Sequence, residues 1–261
     1  MRSILLTLLT LILAPAAQAG DAVDPVALEN WPQWRGPLGT GVSPSGDPPI
    51  EWSEEQNVQW KRPIPGRGHS TPIVWNELIF LTTAEPFGPE MEPRRSGRPG
   101  AHDNLAVTQR HRFIAMAVNR QTGSVLWQKT LSEALPIEGA HYTASLASAS
   151  PVADRHCVIV FFGSYGLFCL DHDGEIIWQK ELGQMHTKHG HGEGASPVLH
   201  GETVVVNWDH EEQSFLAAFN RDTGEELWRR NRDEVTSWAT PIVVPHDGTT
   251  QVIVSGTSRV R

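Results

Sequence analysis

Apolar residues in this chain come in short runs separated by Gly, Pro, Asn and Asp. Examples are Leu78-Ile79-Phe80-Leu81, Cys157-Val158-Ile159-Val160-Phe161-Phe162, Thr203-Val204-Val205-Val206 and Gln251-Val252-Ile253-Val254. β-branched and aromatic residues dominate these runs and turn formers bound them, which predicts strands. A shorter run precedes each, starting at Ser or Thr beside Pro: Ser70-Thr71-Pro72-Ile73-Val74, Ser150-Pro151-Val152, Ser196-Pro197-Val198-Leu199 and Thr240-Pro241-Ile242-Val243. A third run follows in three units, over residues 113–118, 167–170 and 215–219. After the N-terminus no stretch has the 3.6-residue period of an amphipathic helix.

Each third run leads to a glycine turn and a tryptophan. The copies are Thr122-Gly123-Ser124-Val125-Leu126-Trp127, Asp173-Gly174-Glu175-Ile176-Ile177-Trp178 and Thr223-Gly224-Glu225-Glu226-Leu227-Trp228. Their tryptophans lie 51 and 50 residues apart. A four-strand unit repeated at this period predicts an all-β fold, a β-propeller of four-stranded antiparallel blades. Gly123, Gly174 and Gly224 supply the positive φ that a tight hairpin needs. Trp127, Trp178 and Trp228 then fall on outer strands as buried wedges between neighbouring sheets. The fourth unit has two strands and no glycine turn before Val260-Arg261. The expected architecture is therefore about three full blades plus a partial fourth, as in a C-terminally truncated repeat. In the alternative, residues 57–62 complete the fourth unit and close a ring of four blades.

The N-terminus differs from the rest. Met1-Arg2-Ser3, an apolar run from Ile4 to Ala14, and Ala17-Gln18-Ala19 read as a secretory signal peptide over residues 1–19, with Gly20 the first mature residue. No second long apolar stretch follows, so no transmembrane segment is expected after cleavage. The protein is expected to be exported, to the periplasm or beyond. Residues 20–56 are rich in Pro and Gly and read as an arm wrapping the propeller, anchored by Trp31, Trp34 and Trp52. Residues 57–261 carry the repeats. Asn57-Val58-Gln59-Trp60-Lys61-Arg62 reads as a lone outer strand, and residues 84–110 as a mobile insertion. With 30 acidic and 21 basic residues the formal charge is −9, which argues against a nucleic-acid role. The two cysteines, Cys157 and Cys169, flank a turn at residues 163–166. A hairpin centred there puts Cys169 opposite roughly residue 160, so two buried free thiols are expected rather than a disulfide.

The copies Ala117-x-Asn119-x-x-Thr122-Gly123-x-x-x-Trp127 and Ala218-x-Asn220-x-x-Thr223-Gly224-x-x-x-Trp228 resemble the tryptophan-docking motif of pyrroloquinoline quinone (PQQ) repeat propellers, with Asn in place of its Asp. The middle copy keeps Asp171 and is one residue shorter. Trp31-Pro32-Gln33-Trp34-Arg35-Gly36-Pro37 is similar to the start of exported bacterial PQQ-like repeat proteins. The resemblance implies one of two activities. The first is a binding or protein-interaction scaffold of the BamB-like kind, with a protein partner or small ligand. The second is a PQQ-dependent dehydrogenase. Those dehydrogenases use adjacent cysteines over the quinone, a Ca²⁺ bound by Glu, Asn and Asp, and an Asp base. The chain has no Cys-Cys pair and no residue matched to those roles, so no catalytic residue is assigned.

Strand counting puts the longest loops on one face, opposite the glycine turns. That face gathers His186, His189, His191 and Glu193 from one loop and Asp209 and His210 from another, all candidate ligand-binding residues. His102, Asp103, Glu138 and His141 are expected beside them. Imidazoles near carboxylates suit a divalent metal, and His189-x-His191 in extended backbone would put both rings on one side. No HExxH-type signature accompanies them. PQQ or a divalent metal are the candidate cofactors.

Overall fold

A computed structural model describes residues 24–261, so the signal-peptide reading of residues 1–19 lies outside the described residues. The strands form three four-stranded antiparallel sheets and one two-stranded sheet. The first sheet is β1 (Ile73–Trp75), β2 (Leu78–Phe87), β3 (Arg110–Asn119) and β4 (Val125–Ala134), hydrogen-bonded in chain order. The second is β5 (Val152–Ala153), β6 (Val158–Phe161), β7 (Leu167–Leu170) and β8 (Ile176–Lys180). The third is β9 (Val198–His200), β10 (Thr203–Trp208), β11 (Ser214–Asn220) and β12 (Glu226–Arg232). The pair β13 (Ile242–His246) and β14 (Thr249–Ile253) follows. These are consecutive blades of a partial β-propeller. Residues 57–62 form no ladder with β13 or β14 among the described residues, so the four-bladed ring is not the arrangement seen.

Unbroken apolar runs occupy the central strands because both of their faces are buried. Blade two shows the period of two directly. Val158, Val160, Phe168 and Leu170 pack toward blade one with Phe80, Phe113, Ala115 and Ala117. Ile159, Phe161, Leu167 and Cys169 pack toward blade three with Val204, Val206, Ala217 and Phe219. Shifting β6 by one residue would exchange these two sets, so packing on both sides fixes its register. Cys157 and Cys169 lie in the second core as buried free thiols, and Cys169 is paired with Ile159. A hydrogen bond to Cys169, reinforced by burial, pushes the Cys157 thiol far above its ordinary range.

Two repeated bonds join the blades. The first is the tryptophan dock. Trp60 Nε1 donates to Arg120 O, Trp127 Nε1 to His172 O and Trp178 Nε1 to Arg221 O, at 2.9, 2.8 and 2.6 Å. Each ring covers the glycine of the next turn. A Cβ on Gly123, Gly174 or Gly224 would lie 2.5–2.7 Å from the indole, and all three have φ between 68° and 88°. Glycine is needed there for both space and conformation. The Asn in the motif does the work of Asp: Asn119 Oδ1 accepts from Gln121 N, Thr122 N and Thr122 Oγ1, and Asn220 Oδ1 accepts from the matching atoms. Asp171 Oδ1 accepts from Asp173 N and Glu175 N. The turn requires only an acceptor oxygen, which both residue types provide.

The second bond explains the Ser/Thr-Pro starts. Thr71 N donates to Ser150 Oγ, Ser150 N to Ser196 Oγ and Ser196 N to Thr240 Oγ1, at 2.9, 2.9 and 3.1 Å. Each hydroxyl satisfies a backbone donor of the preceding blade, where leaving it unpaired would cost about 1–3 kcal/mol.

Several expectations are corrected. Of the three motif tryptophans Trp178 alone is buried, at 8% exposure, whereas Trp127 and Trp228 are half-buried. Trp127 covers Gly174 and stays partly exposed. Trp228 packs on the small core of Val205, Leu216, Ala218 and Val254. Residues 57–62 are not a strand; Trp60 docks without a ladder beneath it. In the arm, Trp31 pairs with Val74 and packs on Gly36, and Pro32 O accepts from Ala153 N, but Trp34 and Trp52 are exposed. Among the described residues one short α-helix, α1 (Pro25–Leu28), lies in the arm behind an Asp24 cap. No helix among the described residues is long and apolar enough to cross a membrane.

Candidate binding face

The loops expected on one face are joined there by hydrogen bonds. Residues read as a mobile insertion are instead pinned. β2 and β3 take up both ends of the segment, since strand pairing runs to Phe87–Arg110. The rest folds back on itself through Arg94 and Val107, which exchange both backbone bonds. It then crosses to the loop before blade two, where Leu105 N donates to Ala140 O and Tyr142 N to Asp103 O. From there His141 N donates to His191 O, and Asn104 Nδ2 to His189 O. Three loops distant in sequence thus share one hydrogen-bonded surface.

Glu138 is the partly buried hub of this surface. It accepts from Arg98 Nε, Thr187 N and Thr187 Oγ1, each at 3.0 Å, and pairs with His186 Nδ1 at 3.2 Å. Burial alone would raise its carboxyl. The Thr187 and Arg98 donors and His186 outweigh that and hold it below its ordinary value. His186 is committed to this hub, and its backbone N–H donates to His210 Nδ1.

The remaining candidates divide into two groups. Asp209 and His210 turn inward. Asp209 is paired bidentately with Arg232 at 2.7 and 3.1 Å and accepts from Ser237 Oγ. His210 is buried with Nε2 at 3.2 Å from Gln213 O. Glu193 faces a small cavity of about 20 Å³ and accepts from Ser164 N and Ser164 Oγ, both at 2.6 Å. Part of its surface stays accessible, yet desolvation pushes its carboxyl up to about 7. His189 and His191 turn outward. They are not in extended backbone: residues 188–190 form a 3-10 turn with His189 at φ 59°. Their ring centroids are still 5.3 Å apart.

His102 and His141 complete this outward group. Their rings lie 4.8 Å from that of His191, and His102 lies 5.3 Å from His189. One ligating nitrogen from each of His102, His141 and His191 falls within 4.8 Å of the others. Burial, with the neighbouring His141, His102 and His189 rings, lowers the His191 pKa despite a bond to His102 O. Sequence reading placed His102 and His141 on this face without singling them out. Only a histidine surplus in the loops marked them, because their partners are about 40 to 90 residues away.

The quinone chemistry of the PQQ dehydrogenases does not fit the residues around the small cavity. Glu193, Asn207 and Asp209 line it, and Asn207 Oδ1 has no protein partner among the described residues. However, Asp209 is neutralised by Arg232, and the space has room for about one water rather than a tricyclic quinone. The two cysteines lie inside blade two, away from that cavity's lining.

Among curated proteins none matches this chain in sequence. Solved structures similar to it include BamB from Moraxella catarrhalis, at 19% identity and TM-score 0.35, covering 58% of this chain and 41% of that one. Another is quinohemoprotein alcohol dehydrogenase from Comamonas testosteroni, at 14% identity and TM-score 0.38, covering 64% and 21%. A third is quinohemoprotein alcohol dehydrogenase ADHIIG from Pseudomonas putida, at 14% identity and TM-score 0.34, covering 76% and 40%. The chain therefore spans about two-fifths or less of these proteins. The family described as outer membrane protein assembly factor BamB matches residues 111–261, more than half of the chain. With its docked tryptophans, glycine turns and stacked four-stranded blades, the chain belongs to this family of PQQ-repeat β-propellers.

Proposed function

We propose that the chain is an exported binding scaffold that receives a partner protein on the face built from its long loops. The observation that carries this reading is the fixed arrangement of that face. Loops from all three blades are cross-bonded, so binding would require little ordering of the receptor side. Exposed aromatic side chains stand on it: Tyr142 is 55% exposed and Trp238 44%, with Trp238 Nε1 anchored to Gly192 O. Partly exposed, well-anchored aromatics are the side chains that most often dominate protein interfaces. The assembly role in the family's description supports the same reading, and the leader-like N-terminus supports export to the periplasm or beyond.

Site-specific photo-crosslinking tests it. A crosslinker at Tyr142 or Trp238 should trap one discrete partner in the producing cell. A crosslinker at Leu126 or Ile177, exposed on the outer strands, should not. Equal labelling from both sets, or none from the loop face, refutes the reading. A quinone absorption band in the purified protein, with dye-linked alcohol oxidation, would instead favour the dehydrogenase.

A further inference from the structure

The histidine cluster has a chemistry of its own, independent of whether a protein docks nearby. We propose that His102, His141 and His191 form a binding site for a divalent transition ion of the Zn²⁺ class, with His189 at its edge.

The geometry is close to what an ion requires. Imidazole nitrogens bound to one Zn²⁺ at about 2.0–2.1 Å lie roughly 3.3 Å apart. Here the three candidate nitrogens are within 4.8 Å, so an ion would draw them together by rotation of the rings about their side-chain bonds. The backbone is already fixed. His141 N donates to His191 O, Tyr142 N to Asp103 O and Asn104 Nδ2 to His189 O.

Outer partners are also present. His102 Nδ1 lies 3.2 Å from Asp103 Oδ2, and His141 Nδ1 lies 2.7 Å from Thr143 Oγ1. A histidine that ligates through one nitrogen usually gives the other to a carboxylate, carbonyl or hydroxyl, which sets its tautomer and orientation. The Asp103 contact leaves Nε2 of His102 available to an ion, while His141 Nδ1 also lies 3.3 Å from Thr143 N. His189 Nδ1 is likewise occupied, at 3.1 Å from Pro99 O. His191 stacks against Trp238, with centroids 6.3 Å apart.

Backbone strain accompanies the cluster. Asp103 and His189 both have positive φ, at 53° and 59°. Gly100 sits against the His189 ring, where a Cβ would lie 3.0 Å from it. All-nitrogen donors select Zn²⁺ and its transition-metal neighbours over Ca²⁺ or Mg²⁺, which prefer oxygen. The three ligands come from the insertion, the loop before blade two and the loop before blade three. A bound ion would therefore clasp the insertion to the propeller.

Calorimetric titration of the full chain with Zn²⁺ after chelator treatment tests this. One saturable site is expected, and Ca²⁺ should give no heat at the same concentrations. His102→Ala and His191→Ala should each weaken Zn²⁺ binding by about 100-fold or more, since losing an outer partner alone costs about 10–100-fold. His246→Ala, a histidine in β13 outside the cluster, should change nothing. His102 is an exposed side chain, so its variant should fold, as circular dichroism would confirm. Hydrogen exchange supplies a second readout: Zn²⁺ should slow exchange at residues 88–109 in the parent and not in His102→Ala. No saturable binding, or binding unchanged in His102→Ala and His191→Ala, overturns the proposal.

Discussion

The contact between Trp178 and Gly224 makes a sharp prediction about how the blades are held together. Gly224 has φ 69°, and a Cβ there would lie 2.7 Å from Trp178 Cδ2. Gly224→Ala therefore incurs two separable penalties. The left-handed conformation costs an alanine roughly 1–2 kcal/mol. The clash with the indole adds roughly 1–3 kcal/mol of overpacking. Trp178→Ala alone should cost roughly 3–5 kcal/mol, because the side chain is buried and its Nε1 bond to Arg221 O is lost. In the Trp178→Ala background the clash disappears and the conformational penalty stays. Gly224→Ala should then cost only roughly 1–2 kcal/mol. The double variant should be more stable than the sum of the single changes by roughly 1–3 kcal/mol. Urea unfolding followed by circular dichroism measures all four proteins, provided the slopes agree. Additivity within roughly 0.5 kcal/mol would mean that the ring and the glycine do not share the contact, and the docking account would fail.

Two further predictions concern charged groups. Asp209→Ala should destabilise the fold by roughly 3–5 kcal/mol because it strands the Arg232 guanidinium in the interior; denaturation that is unchanged would show the pair to be dispensable. Glu138 is held below its ordinary pKa of 4.5, so its contribution is fully present above that value and is lost as pH falls through the lower folded pKa. Glu138→Gln should accordingly be less stable than the parent at pH 7, with the gap narrowing steadily below pH of about 4.5; a gap independent of pH would refute the assignment.

Features that depend on short stretches of chain were legible in the sequence. Strand runs, the 50-residue period, the positive-φ glycines and the tryptophan four residues on are all set by local sterics and alternation, and each sheet appears where the pattern puts it. Strand counting groups the long loops on one face as an expectation drawn without any tertiary contact. Tertiary structure decided everything that depends on which distant groups meet. It buried Trp178 and left Trp127 half-buried, because exposure depends on the neighbouring blade. It turned Asp209 inward to Arg232 across 23 residues, a pairing that no spacing announces. It converted a Gly- and Arg-rich insertion, mobile by composition, into a segment held by Glu138, Ala140 and His189. It also brought His102 to His191, 89 residues apart, because blade stacking sets loops from successive repeats side by side.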